Sequence, residues 1–454
     1  MEDGAGAAIG LAIIGARGAP AQPIHAVRDP VMSPPEARPA RLPALGSPAY
    51  RIFLAGTFIS NVGTWMQVTS LGWLVLRLTG SAGLLGLASF IGSAPALVLT
   101  LYAGALADSV DQRRLLLGTQ IGLAIFAGIL AVMVQTDSIL FWQVLILAGL
   151  AGVANALAGP AFQAIIPGLV GRAALGNAIA LNSAQFNLAR IVGPAIAGVL
   201  IGIAGEAPSF WLNAASFSAV IVALVAIRMP TETSIEQARA GLWANLGEGF
   251  DYVRRRRPLL ALLLLALAPA IFILPYLTLM PIFATNLGIG AAGLGLLTAS
   301  VGIGALAGAL AVAFRRRGGA NGRTLAIGLS MMALAVSVFA LSRIELLTCV
   351  ALAILGASQV AYYTSTNTLV QLLAPARLRG RIVSIYVLTS IGVSPIGSLL
   401  AGGVAQGIGA PLTLAAGGVL TIVSLLIVGA WYPGLWRLHV EGVETEGGAL
   451  RPKS

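Results

Sequence analysis

Apolar runs long enough to cross a bilayer recur along nearly the whole chain, and no other feature limits its folding choices so severely. A membrane-spanning helix needs about 20 apolar residues to traverse ~30 Å of hydrocarbon. Such runs stand at 52–76, 82–106, 115–135, 139–160, 178–203 and 209–228. A second set stands at 259–284, 292–314, 324–342, 345–366, 383–405 and 410–432. Only 9% of the 454 residues are charged, against roughly 25% in a soluble domain. The expectation is an all-α membrane protein of twelve transmembrane helices.

A formal charge of +11 would point to nucleic acid in a soluble chain, so the placement of the arginines decides its meaning. Counted along the chain, the odd-numbered connections between runs carry only Arg77 and Arg343. The even-numbered ones carry Arg113, Arg114, Arg172, Arg228, Arg239, the run Arg254 to Arg257, Arg315 to Arg317, Arg323, Arg377, Arg379 and Arg381. By the positive-inside rule the even connections and both termini are predicted to be cytoplasmic. That topogenic role accounts for the basic runs, so membrane lipid is expected as a partner and nucleic acid is not.

Residues 1–48, rich in Pro, Ala and Arg, have the composition of a disordered tail. The early apolar run "GAGAAIGLAIIGA" follows Glu2 and Asp3, where a signal peptide is basic, and Met32 is a second candidate start. Residues 49–228 form one predicted six-helix half and 259–432 the other. Between them, 229–258 is a basic cytoplasmic linker. There Trp243, Leu246, Phe250 and Val253 recur at helical spacing, the pattern of an amphipathic helix on the membrane surface. A cytoplasmic tail, 433–454, closes the chain.

The halves repeat one another. "AGLLGLASFIG" (82–92) superposes on "AGLGLLTASVG" (292–302), "QAIIP" (163–167) on "QLLAP" (371–375), and Pro194 on Pro395. Half-chain repeats of this kind are a transporter signature. Two six-helix halves joined by a cytoplasmic linker resemble the major facilitator superfamily, which implies two pseudo-symmetric halves enclosing a central cavity. The loop "GALADSVDQRR" (104–114) is similar to the superfamily's loop motif at Gly104, Asp108 and Arg113. Ser109 replaces an Arg there and Asp111 a Gly. The resemblance implies a cytoplasmic latch in which Asp108 faces Arg113, Arg114 or the start of span 11. "ARIVGPAIAG" (189–198) is similar to the span-5 motif of antiporters at Gly193, Pro194 and Gly198, which implies export. The longer stretches 59–87 and 160–194 resemble the enterobactin-exporter and macrolide-efflux branch.

What this resemblance implies is a secondary active exporter of a small amphiphilic molecule, siderophore-like or drug-like, working as a monomer in the bacterial inner membrane by alternating access. Protons are the candidate coupling ion. A lipid or lysophospholipid flippase of the same fold, and a non-transporting scaffold or sensor, are the alternatives. The architecture implies a cavity lined by spans 1, 4, 7 and 10, with help from 2, 5, 8 and 11. Polar residues at mid-membrane depth are then the candidate substrate contacts: Asn61, Thr64 and Gln67 on span 1, Asn155 on span 4, Gln185 on span 5, Tyr276 on span 7, and Gln359, Tyr362 and Tyr363 on span 10. Pro269, Pro275 and Pro281 mark span 7 as a candidate hinge, since each proline removes a backbone hydrogen bond.

Arg190 stands apart from these. A charged side chain at the bilayer centre costs roughly 2.5–3.5 kcal/mol on insertion scales, and the only Asp or Glu in any predicted span is Glu345, at the very edge of the tenth. Its compensation is expected from carbonyls and amides such as Gln185 or Asn155, from cavity water, or from an anionic substrate. No enzyme is read here. The histidines, His25 and His439, lie in the tails, the one cysteine is Cys349, and the sole lysine, Lys453, belongs to no phosphate-binding loop. Neither metal nor cofactor is expected.

Overall fold

The structure is a computed structural model that describes residues 42–109, 111–227, 242–314 and 321–438; side chains from 100 to 109 and from 242 to 246, with those of Arg172 and Ala313 to Phe314, also lie outside the description. The expected N-terminal tail up to Arg41, most of the C-terminal tail and the first part of the linker fall outside it too.

The first six helices are α1 (Pro48–Thr79), α2 (Ala82–Ser109), α3 (Gln112–Gln135), α4 (Phe141–Val170), α5 (Leu175–Ala204) and α6 (Ala207–Ala226). A linker helix, α7 (Leu242–Arg255), precedes α8 (Arg257–Phe272), α9 (Tyr276–Asn286), α10 (Gly290–Phe314), α11 (Gly322–Leu341), α12 (Glu345–Leu373), α13 (Arg379–Val387), α14 (Ser394–Ile408) and α15 (Ala410–Trp431). Among the described residues eleven segments are long and apolar enough to span a membrane, with α8–α9 and α13–α14 each counted as one interrupted span. The more polar α1, 32 residues long, packs along α5 and α6 and completes the twelve.

Local chemistry sets the ends. The Ser47 side chain accepts from the Tyr50 N–H and Pro48 occupies the first helical turn, while Gly80 closes α1 at φ 60°, a left-handed conformation that glycine adopts without strain. Asp111 caps α3 by accepting from the Arg113 and Arg114 N–H groups. Two spans outrun their predicted ends. α4 runs past its predicted end at 160 with Pro160 and Pro167 both inside it, because neighbouring helices can satisfy the carbonyls a proline frees within a membrane. In the second half α12 likewise continues to Leu373.

Span 7 does break where its prolines place a hinge. α8 ends at Phe272 and α9 resumes after Pro275, with the Pro269 carbonyl accepting from both Ile273 and Leu274. Pro269 and Pro281 sit within helices that continue past them. Span 11 holds a π-helical segment, Leu388–Gly392, in which Val393 N–H reaches back to the Leu388 carbonyl just ahead of Pro395. Proline's missing donor removes an ordinary rung there, and a widened turn absorbs the mismatch.

The helix pairings repeat between halves. α2 packs on α4 as α10 packs on α12, α3 on α4 and α6 as α11 on α12 and α15, and α1 on α5 and α6 as α8 on α14 and α15. Two seams join the halves, α2 with α14 and α5 with α10.

Candidate transport site

Helix direction fixes depth. The arginine-rich connections share one end of the bundle, the basic end, while the turns at Gly80, Gly205, Gly288 and Gly409 share the far end. Both seams are tight toward the far end, and glycines make them so. A Cβ on Gly86 of α2 would come within 2.6 Å of the Ser398 carbonyl, and one on Gly402 of α14 within 2.7 Å of the Ala82 carbonyl. In the other seam, a Cβ on Gly198 of α5 would lie 2.8 Å from the Ala291 carbonyl, and one on Gly295 of α10 would lie 2.6 Å from the Pro194 carbonyl. Backbones can approach this closely only where side chains are absent. The span-5 motif thus has two faces: Gly193 lies against α1, where a Cβ would meet the Val62 carbonyl at 2.7 Å, while Pro194 and Gly198 meet the opposite half.

Polar bridges reinforce the same end. Ser81 Oγ bonds Gln406 Oε1 at 2.9 Å, and Thr278 of α9 stands 3.0 Å from both Ser89 of α2 and Ser398 of α14. Deeper in, Arg190 donates from Nη2 to the Tyr276 hydroxyl across the halves at 3.3 Å, and its guanidinium lies 5.5 Å from the Trp65 ring centroid. A cation over an indole face is attracted by the ring quadrupole. Gln185 and Asn155 are therefore not its partners: Gln185 bonds Asn61 and Asn182, and Asn155 bonds the Ala151 carbonyl of its own helix. The Nε of Arg190 is buried and unpartnered.

On the basic side of this layer lies a cavity of about 530 Å³. Asn61 and Thr64 of α1, Asn155 of α4 and Gln185 of α5 line it, as expected. Span 7 and span 10 do not: the described wall comes from α1, α3, α4, α5 and α6, so of the expected lining by spans 1, 4, 7 and 10 with help from 2, 5, 8 and 11, only spans 1, 4 and 5 contribute to it. The physical reason is bulk in the second half. Tyr276 and Tyr362 are fully buried, Gln359 nearly so, and the Tyr362 hydroxyl donates to the Leu265 carbonyl at 2.7 Å. Tyr363 packs beside it, its ring centroid 5.2 Å away. Gln67 faces away as well, accepting from Asn213 of α6 at 2.7 Å. A second opening of about 880 Å³ lies at the far end between the halves, lined by Trp73, Arg77, Asn286 and Gln406 among others.

Two further wall residues were not among the expected contacts: Gln120 lies on α3, a span not expected to face the cavity, and Gln163 lies on α4 beyond its predicted end at 160. An inventory of amides on all spans would have included Gln120, but not Gln163. The Arg77–Glu206 pair escaped as well, at 2.8 Å with Glu206 buried. At the basic end, Gly104 and Asp108 lie where side chains are outside the description. Arg113 Nη2 donates to the Val225 carbonyl at 2.9 Å, and Arg114 Nε lies 3.5 Å from Asp111, so these arginines bind α6 and the α3 cap. Among the described residues no group of three or more His, Cys, Asp or Glu is placed to hold a metal.

Comparison with known proteins fits this geometry. Residues 40–432 match the family described as transmembrane secretion effector. The multidrug efflux pump Tap of Mycobacterium tuberculosis is 31% identical over 400 residues, covering 84% of this chain and 90% of Tap. The enterobactin exporter EntS of Citrobacter koseri is 28% identical over 390 residues, covering 84% of this chain and 90% of EntS. Among solved structures, the nucleoside transporter NupG superposes with a TM-score of 0.68 at 12% identity, covering 85% of this chain and 99% of NupG, a likeness of fold alone. The chain belongs to the transmembrane secretion effector family of the major facilitator superfamily, a family of multi-span membrane transporters.

Proposed function

We propose that this chain is a secondary active exporter that takes a small amphiphilic molecule from the cytoplasm and releases it across the bacterial plasma membrane by alternating access. One observation carries the reading. The polar cavity occupies the basic side of the bundle, while paired glycines and cross-half hydrogen bonds hold the halves together on the far side. With the basic end cytoplasmic by the positive-inside rule, this is a loading state. Export then requires the Gly86–Gly402 and Gly198–Gly295 seams to part and the basic end to close, so that the cavity meets the far opening. Relatives described as an efflux pump and an exporter support the direction.

In this reading the proton gradient supplies the drive. Among the described carboxylates Glu206 alone is buried, and it sits beside Arg77 at the rim of the far opening. The test is efflux from an exporter-deficient bacterium expressing the chain, with catecholate, neutral and cationic compounds, with and without a protonophore. Protonophore-sensitive efflux, slowed at least tenfold by Glu206→Gln, is the expected result. Accumulation identical to the empty-vector strain for every compound class would remove the exporter reading. Efflux indifferent to the protonophore would remove the proton drive alone.

A further inference from the structure

The cavity wall has a composition that the exporter reading does not require. It carries amides, hydroxyls and phenylalanines and, among the described residues, no charged side chain. Arg190, the charged residue nearest it among the described residues of α5, is turned toward Trp65 and Tyr276 instead.

Amides within a membrane ordinarily find one another across helices, as Gln67 and Asn213 do here. The wall amides are only partly satisfied. Asn61 donates to Gln185 Oε1 and Gln185 donates to Asn182 Oδ1, a chain that leaves the Asn61 oxygen and the Asn182 NH₂ available. Gln120, 3% exposed, and Gln163 have no side-chain hydrogen bond among the described residues. Gln120 also reaches the cavity from α3, so the pocket extends out of the central cleft into the body of the first half. Its apolar side is aromatic, with Phe53 and Phe162 rings 6.0 Å apart.

Such a wall discriminates by charge. An amide offers a donor and an acceptor, so it can match a ligand carbonyl, hydroxyl or amide. An ion entering the same pocket loses its hydration and meets no counter-charge, which is costly. We infer that the first half alone forms the substrate pocket and that it selects an uncharged amphiphile, a molecule with several hydrogen-bonding groups beside an apolar face, recognised by Gln120, Gln163 and the Asn61–Gln185–Asn182 chain. The inference rests on the exporter reading for its biological meaning, and on the wall chemistry for its content.

Equilibrium binding to the purified full-length chain in lipid nanodiscs tests it, with a matched pair of probes. Chloramphenicol is uncharged, with one aromatic ring, an amide and two hydroxyls; its hemisuccinate ester adds one negative charge. Ethidium supplies a cation. Chloramphenicol is expected to bind at least tenfold tighter than either. Gln120→Leu is expected to weaken it tenfold or more, and Asn182→Leu, at the half-buried mouth, does the same should the first variant fold poorly. Gln371→Leu, on the exposed end of α12, leaves it within twofold. Gln120→Glu is expected to raise ethidium affinity at least tenfold, a gain that damage to the fold would not produce. Absence of chloramphenicol binding, equal or tighter binding of the hemisuccinate, or indifference to both leucine variants in the folded protein would overturn the inference. Intact neutral binding without cellular efflux would overturn only the exporter reading.

Discussion

The two halves share their helix pairings and differ in what fills them. In the second half one continuous buried cluster runs through α8, α9, α11, α12 and α15, with Phe283 and Phe339 ring centroids 4.4 Å apart. In the first half the buried residues divide into separate clusters, and the polar cavity enters between helices. Equivalent positions show why. In the register that lays 163–167 on 371–375, Ala154 and Asn155 of α4 occupy the positions that Tyr362 and Tyr363 hold on α12. Two tyrosines fill one half where a methyl and a smaller amide, with Gly159 one turn further on, leave the other open. A repeat thus fixes which helices touch, while side-chain volume at a few sites decides which half is solid and which can hold a ligand.

Exchanging those volumes gives the largest expected effects. Tyr362→Ala removes a fully buried ring and its hydrogen bond to Leu265. By analogy with large-to-small changes in other cores, it is expected to destabilise by about 3–5 kcal/mol, read as a lowered melting temperature in nanodiscs. Gly159→Tyr is expected to do the reverse. A Cβ there meets nothing within 4 Å, so the fold holds and the ring occupies the cavity, with efflux and neutral-probe binding lost by at least a hundredfold. If Gly159→Tyr transports normally, the cavity is not the transport pocket and the contrast between halves has no functional meaning.

Much of this was legible in the sequence, and the exceptions have physical causes. Span length, the basic connections and the proline-marked break in span 7 act within a single helix, and all three could be read. Where α4 and α12 ended could not, because Pro160 stops a helix in water and not among packed neighbours. The π segment Leu388–Gly392 follows from tertiary fit around Pro395. Asn61, Thr64, Asn155 and Gln185 do share a cavity, yet its confinement to one half depends on how far Tyr276 and Tyr362 fill the other. Arg190 was legible as an anomaly, and its partners Trp65 and Tyr276 were not, since one lies on α1 and the other across the interface.

The seams between the halves come next in size. A leucine at Gly86 or Gly402 has no room while α2 and α14 are in contact, so Gly402→Leu is expected to force the far end apart. A cysteine introduced at Gln406 should then react with a membrane-impermeant thiol reagent at least tenfold faster than in the unsubstituted background, and efflux should fall. Shifting a two-state balance from one in a hundred to its inverse takes about 5.5 kcal/mol, a scale that steric clash at a backbone contact can reach. Unchanged labelling would mean that the halves are joined elsewhere.

The smallest expected effect asks which half carries the linker. Glu248 of α7 accepts hydrogen bonds from Arg377 at 2.5 Å and from Arg381, and Val253 of the same helix is buried among residues of the second half. Phe250, read as part of a membrane-facing stripe, is exposed, whereas Trp243 and Leu246 have side chains outside the description. Desolvation, the largest single influence, pushes the Glu248 carboxyl up, but the hydrogen bonds and charges of Arg381 and Arg377 together outweigh it and hold the group below the ordinary carboxylate range. A depressed carboxylate contributes above its unfolded value and loses that contribution as pH falls through its folded value. The clamp is therefore complete at neutral pH and weakens only as the pH falls below the ordinary carboxylate range. Exposed pairs such as these contribute little to global stability, so the readout has to be local. Spin labels at Gly247 and Ser384 should give a narrow distance distribution at pH 7 that broadens in acid, and Glu248→Gln should broaden it at every pH. A distribution indifferent to both would free the linker from the second half, leaving it to move with neither.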